Sequence, residues 1–269
     1  MSARKPVLAG NWKMHKGPSE AREFFRAFIP ELPTDGAGTV VFFPPAVSLA
    51  AAREGVGGHP GVKLGVQNVH WEKSGAFTGE VSAPLARDAG AEWVLVGHSE
   101  RRHVFGETIE ETVKKVRAVL EVGMTAVLCV GELLEERRAG RAEQVVAEQL
   151  EAVLETVSPG ELQRLVIAYE PVWAIGTGET ATPQDASTMH AAVRARLAER
   201  FGAAAAGEAV VLYGGSVKPE NARELLAAPD VDGVLVGGAS LDPKGFAAIC
   251  ARANASNLGS AQGRRSEGA

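Results

Sequence analysis

Leu165-Val166-Ile167-Ala168-Tyr169 is an unbroken apolar run, followed at once by Glu170-Pro171. A strand with one face in water alternates apolar and polar residues, whereas an uninterrupted apolar strand belongs where both faces are covered, as in the parallel sheets of α/β proteins. Similar short, β-branched runs recur at Val7–Gly10, Thr39–Phe43, Val62–Val66, Trp93–Gly97, Ala126–Val130, Val210–Tyr213 and Gly233–Gly237, which makes eight candidate strands.

Helical spacing fills the intervals, at Ser19–Phe28, Ala46–Arg53, Leu85–Ala89, Glu107–Glu121, Arg141–Thr156, Pro183–Arg200, Glu220–Ala227 and Pro243–Ala253. Pro18-Ser19, Thr182-Pro183 and Asp242-Pro243 put capping residues or a first-turn proline where helices begin. The strand–helix unit is roughly thirty residues, the length of a β-crossover-β. Eight such units favour a closed (β/α)8 barrel over an open doubly wound sheet, although alternation alone admits both. No Pro/Gly/Ser-rich linker or charge run divides the interior, so residues 1–254 read as a single domain. Ala255–Ala269 lacks apolar periodicity and reads as a flexible tail.

The 269 residues are 45% hydrophobic and 23% charged, enough apolar surface for a large core and ordinary for a soluble globular protein. A formal net charge of -5 argues against nucleic-acid or anionic-membrane partners, which require concentrated basic surface. The N-terminus shows no long apolar stretch before a cleavage site, and no run has the length of a membrane span, so the expected location is the cytoplasm. Cys129 and Cys250 fall in apolar stretches without C-x-x-C spacing, and the histidines form no H-E-x-x-H pattern. Buried thiols and the absence of a metal site are expected.

In a barrel the chemistry gathers at the C-terminal ends of the strands. Those ends carry Asn11-Trp12-Lys13, His98-Ser99-Glu100, Glu170-Pro171, Gly214-Gly215-Ser216 and Gly237-Gly238. Two neighbouring glycine turns, the first preceding a helix start at Lys218-Pro219-Glu220, suit a phosphate held by backbone N–H groups; glycines also simply end strands. A carboxylate such as Glu170, stripped of water at the end of an apolar strand, suits proton abstraction from carbon; the plainer reading is an exposed strand-end charge. The segment after it, Pro171 to Gly178, is apolar and bounded by Pro and Gly-Thr-Gly, the composition of a lid with hinged ends. His98 stands before Ser99 at a helix start, which favours an uncharged imidazole able to polarise a carbonyl; a structural histidine is the alternative. Lys13 either contributes charge or extends from the rim, with Glu100 as its ion-pair partner.

Ala9-Gly10-Asn11-Trp12-Lys13-Met14, Val96 to Arg102, Tyr169 to Gly178, Tyr213 to Val217 and Val236 to Leu241 together resemble the triosephosphate isomerase family, in order, over residues 5 to 252. The resemblance implies a cofactor-free TIM barrel that interconverts D-glyceraldehyde 3-phosphate and dihydroxyacetone phosphate through an enediolate, in glycolysis and gluconeogenesis. It implies Glu170 as the base, His98 as the neutral electrophile and Lys13 as the positive charge. It also implies Asn11 as a substrate ligand, Gly176, Ser216, Gly237 and Gly238 as the phosphate grip, and Glu100 as support for Lys13. Gln67-Asn68-Val69 and Gly75 to Glu80 resemble the family's intersubunit loop, which implies a homodimer with Phe77, Thr78, Glu80 and Arg101 at the interface. Phe77 folding back on its own barrel is the alternative. His15, Glu179 and the extended tail depart from the family pattern, and none is among the proposed reacting groups.

Other functions remain on the sequence alone: an aldolase with Lys13 as Schiff-base nucleophile, a glycosidase using Glu100 and Glu170, and a silent barrel that only binds a sugar phosphate or a protein.

Overall fold

The computed structural model describes residues 4–32, 38–176, 179 and 181–263, with side chains through 253. The strands are β1 Val7–Asn11, β2 Thr39–Phe43, β3 Val62–Val66, β4 Trp93–Val96, β5 Thr125–Val130, β6 Leu165–Tyr169, β7 Val210–Tyr213 and β8 Gly233–Val236. They form a closed parallel barrel in sequence order, sealed where Val7, Leu8, Ala9 and Gly10 of β1 pair with Gly233, Val234, Leu235 and Val236 of β8. Closure decides between barrel and open sheet, and the chain is a (β/α)8 barrel.

The helices are α1 Pro18–Phe28, α2 Leu49–Val56, α3 Ala83–Asp88, α4 Ser99–Val104, α5 Ile109–Glu121, α6 Leu134–Arg138, α7 Ala142–Leu154, α8 Pro183–Phe201, α9 Ala203–Glu208, α10 Ala222–Ala227 and α11 Pro243–Gly263. α4, α6 and α9 are additions to the pattern read from sequence, each too short to establish a 3.6-residue period. α10 begins at Ala222, two residues past the expected Glu220, because the Asn221 side chain accepts from the Lys218 amide and holds the preceding residues in a turn. α11 continues in the backbone to Gly263, so part of the expected tail is helical; Ala251, Ala253, Ala255 and Ala261 supply helix propensity without an apolar stripe. Among the described residues no helix is long and apolar enough to cross a membrane.

Side chains alternate along each strand, which gives two apolar layers. Val7, Ala9, Val41, Phe43, Leu95, Val127, Cys129, Val166, Ala168, Leu212 and Leu235 fill the barrel interior. Leu8, Val40, Phe42, Ile167 and Tyr169 face the helices. On that outer layer Phe42 packs against Phe24, Phe25, Phe28, Trp12 and Phe246, with ring centroids 5.0 to 5.6 Å apart, and so binds α1 and α11 to β2, the strand beside β1. The inward period continues past the strand ends. Asn11 follows Val7 and Ala9, and Glu170 follows Val166 and Ala168, so both point into the mouth.

His190 on α8 is fully buried, edge-on to Tyr169, with Nδ1 3.0 Å from the Asp230 carbonyl and Nε2 without a partner among the described residues. Burial pushes the imidazole from 6.5 down to about 4, with the Asp230 carbonyl and the Asp232 charge acting the other way and Arg194 adding to the fall. The unfolded chain takes up this proton as pH falls through about 6.5, while the fold resists until about 4, so stability is present above that window and is lost through it. Urea unfolding of the parent and of His190→Gln, compared at pH 7 and pH 4, is expected to show a pH-dependent loss larger in the parent by on the order of 3 kcal/mol.

Candidate active site

Asn11, Lys13, His98, Glu100, Glu170, Gly176, Ser216, Gly237 and Gly238 all line one cavity of about 510 Å³ at the C-terminal mouth of the barrel. Glu170 is held most closely. Its amide donates to the Val130 carbonyl at 2.8 Å, and its carboxylate Oε2 accepts from the Ser99 amide at 2.8 Å, at the start of α4. Register places Gly131 of the β5 connection and Gly214 of the β7 connection on either side of it, one step beyond Val130↔Tyr169 and Tyr169↔Tyr213. A Cβ at Gly131 would fall 1.8 Å from the Glu170 carbonyl oxygen, and one at Gly214 would fall 2.9 Å from Glu170 Cγ. Gly131 therefore leaves room for the Glu170 backbone, and Gly214 for the stem of its side chain.

His98 serves as the N-cap of α4: its Nδ1 accepts from the Glu100 amide at 3.2 Å. A nitrogen that accepts cannot carry a proton, so this bond leaves Nε2 as the N–H of the ring. Nε2 faces Glu170 Oε1 at 3.0 Å. A carboxylate and an N–H donor thus meet at the cavity wall, both nearly closed to solvent.

Lys13 has left-handed backbone, φ 50, unusual for a non-glycine residue. Asn11 Oδ1 accepts from its amide at 2.9 Å, and Gln67 Nε2 donates to both the Lys13 and Phe43 carbonyls, at 2.8 and 2.9 Å. These bonds hold the strained residue so that its ammonium reaches Glu100 Oε1 at 2.7 Å. Its stem lies against Gly237, where a Cβ would sit 3.5 Å from Lys13 Cε, so the cation borders a glycine turn of β8. Trp12 Nε1 donates to the Ser240 carbonyl at 3.2 Å and ties the two connections together. The cavity also takes in Gly214, Gly215 and Ser216 and the start of the 3-10 turn Gly238–Leu241.

Beneath the mouth, the buried Glu107 accepts from the Gly97 amide, Arg101 Nε and Lys115 Nζ at 3.1, 2.7 and 2.6 Å. Burial alone would raise this carboxyl, but the Lys115 and Arg101 contacts prevail and hold it below its ordinary value. Cys129 and Cys250 are free and buried. Burial, reinforced by the Glu170 charge, raises the Cys129 thiol well above its usual range and leaves it inert as a nucleophile. No three His, Cys, Asp or Glu side chains among the described residues are grouped to hold a metal ion.

Glu132, also at a strand end, escaped the sequence reading although the same rule finds it. It is fully buried and accepts from Trp173 Nε1 at 2.8 Å and the Tyr169 hydroxyl at 3.1 Å. Burial pushes its carboxyl up despite those donors. Trp173 belongs to the 3-10 turn Val172–Ala174, the first part of the expected lid; Thr177 and Gly178 lie outside the described residues. Of the expected interface residues, Thr78 and Glu80 are exposed, Phe77 is 43% exposed with its ring 4.2 Å from His70, and Arg101 is engaged by Glu107.

A sequence model of the family described as triosephosphate isomerase matches residues 6–253. The chain belongs to the triosephosphate isomerase family. It is 53% identical over 250 residues to a triosephosphate isomerase of Symbiobacterium thermophilum, covering 93% of this chain and 97% of that one. It is 50% identical over 246 residues to one from Solibacter usitatus, with 91% and 98% covered, and 47% identical over 251 residues to one from Streptococcus equi subsp. zooepidemicus, with 92% and 98% covered.

Within this family member, Gly214→Ala is expected to displace the Glu170 side chain while sparing the fold. Turnover should fall on the order of tenfold to a hundredfold with little change in thermal midpoint, read from steady-state kinetics and melting of the same preparation. Unchanged turnover would mean that the carboxylate has room to spare.

Proposed function

We propose that the chain interconverts D-glyceraldehyde 3-phosphate and dihydroxyacetone phosphate by moving one proton between adjacent carbons, without a cofactor. The observation that carries this reading is the facing of Glu170 Oε1 and His98 Nε2 at 3.0 Å in a cavity that also holds Lys13 and two glycine turns. Glu170 takes the proton from the carbon beside the carbonyl and returns it to the neighbouring carbon. As negative charge moves onto oxygen, the Nε2–H of His98 and the Lys13 ammonium stabilise the enediolate, and Asn11 orients the substrate. Glu100 pairs with the Lys13 ammonium at 2.7 Å and keeps it in place, which works against its service as a Schiff-base nucleophile.

Ser216, Gly237 and Gly238 grip the phosphate, joined by Gly176 of the loop between Glu170 and α8 when that loop covers the cavity. Exclusion of water there limits loss of phosphate from the intermediate, and phosphate binding holds the loop shut. The catalytic unit is residues 1–254, with 255–269 an appendage, and the reaction belongs to cytoplasmic glycolysis and gluconeogenesis.

The same reading makes the working form a homodimer. Among the described residues the most exposed large apolar side chains, Met14, Val47, Phe77, Leu85, Val104 and Phe105, belong to the connections after β1 to β4, while the less exposed Leu133 and Leu134 follow β5. Thr78 then approaches the partner's cavity, with Glu80 and Arg101 at the rim of the contact. Sedimentation is expected to show a dimer, and Phe77→Glu to shift it toward monomer with a parallel loss of activity; a monomeric parent with full activity would remove the dimer from the reading.

The deciding experiment is the rate of triose phosphate interconversion by purified protein in chelator with no cofactor added. Glu170→Gln is expected to retain binding of glycerol 3-phosphate while turnover falls on the order of 10²–10⁴-fold. Equal turnover would take Glu170 out of the reaction, and an inactive, folded, dimeric parent would leave a barrel that binds without converting.

A further inference from the structure

Arg137 lies outside the cavity on α6, yet it is engaged on three sides. Nη2 meets Asp185 Oδ1 at 2.5 Å, Nη1 stands 3.6 Å from Glu132 Oε1, and the guanidinium carbon is 4.6 Å from the centre of the Trp173 ring. Each contact belongs to a different part of the chain. Trp173 is in the turn Val172–Ala174 that follows Glu170 and Pro171, and Val172 is bonded there through its amide to the Glu132 carbonyl at 3.2 Å. Asp185 is in the first turn of α8, where its carboxylate accepts from the Thr182 amide at 2.9 Å and hydroxyl at 2.7 Å, and its own amide donates back to Thr182 Oγ1 at 3.1 Å. One guanidinium therefore touches both ends of the connection that runs from Glu170 to α8.

We propose that Arg137 is a positioning residue for the reaction, a brace that ties the turn behind Glu170 to the first turn of α8 and so fixes the flank from which Gly176 borders the cavity. This rests on the isomerase reading above. Arginine suits the task because its planar group offers an edge to the Asp185 carboxylate and a face to the Trp173 indole at the same time, which a lysine ammonium cannot do. The side chain is one-third exposed, so its ion pairs add little to global stability, and the effect belongs in turnover rather than in folding.

The test compares Arg137→Met, Arg137→Lys and parent on two substrates, D-glyceraldehyde 3-phosphate and the phosphate-free D-glyceraldehyde, the latter followed by NMR. Both variants are expected to lose about tenfold or more in kcat/KM with the phosphorylated substrate and to stay within about twofold of parent with the phosphate-free one, at unchanged thermal midpoint. Asp185→Asn, which keeps a competent helix cap but weakens the brace at its far end, is expected to give the same substrate-dependent pattern even if an Arg137 variant folds poorly. Equal losses on both substrates, restoration by lysine, or no loss at all would each overturn the brace. An inactive parent would instead overturn the isomerase reading on which it depends.

Discussion

The seam between β8 and β1 is the constraint on which the rest of the molecule depends. In an open sheet β1 and β8 would stand far apart, and Lys13 would lie nowhere near Gly237. Pairing Val7 with Gly233 and Gly10 with Val236 makes the sheet a ring and brings those two connections into contact. Closure also limits the interior to what side chains such as Ala9, Cys129 and Ala168 can fill, so the next inward positions emerge together at one rim. The aromatic cluster around Phe42 packs α1 and α11 against β2, the strand beside the seam.

At that rim, charge is arranged by backbone as much as by side chains. The buried Glu170 carboxylate accepts an amide at the start of α4, and the same short helix is capped by the His98 ring, so one element positions both groups. Lys13 reaches its place only through a left-handed backbone conformation, held by Asn11 and Gln67. Local strain of this kind persists where neighbouring bonds over-determine it. The ordering of the mouth is thus distributed over β1, β3, β4 and β6 rather than confined to the groups that face the cavity.

Much of this was legible in the sequence because one signal carried it. Both faces of each strand are covered, so strands read as unbroken apolar runs, and every candidate run became a strand with its ends within a residue of the expected place. Polar residues immediately after such runs then marked the mouth, and Asn11, Lys13, His98, Glu170 and Ser216 line it. What stayed hidden depends on neighbours distant in sequence. The need for glycine at 131 and 214 arises from Glu170 on the strand between them, and Arg137 finds Trp173 and Asp185 only in three dimensions. Short helices such as α4 and α6 were also hidden, since five or six residues cannot display a helical period.

The cap made by His98 has a consequence for how the rate responds to temperature. Because Nδ1 is occupied by the Glu100 amide, the ring cannot turn over without breaking that cap bond. The Nε2–H vector is consequently aligned when the chain folds, not anew in each encounter with a ligand. A group oriented in advance loses no rotational freedom on the way to the transition state, so the activation entropy carries little contribution from the imidazole, and what remains of that term comes from segments that still have to move.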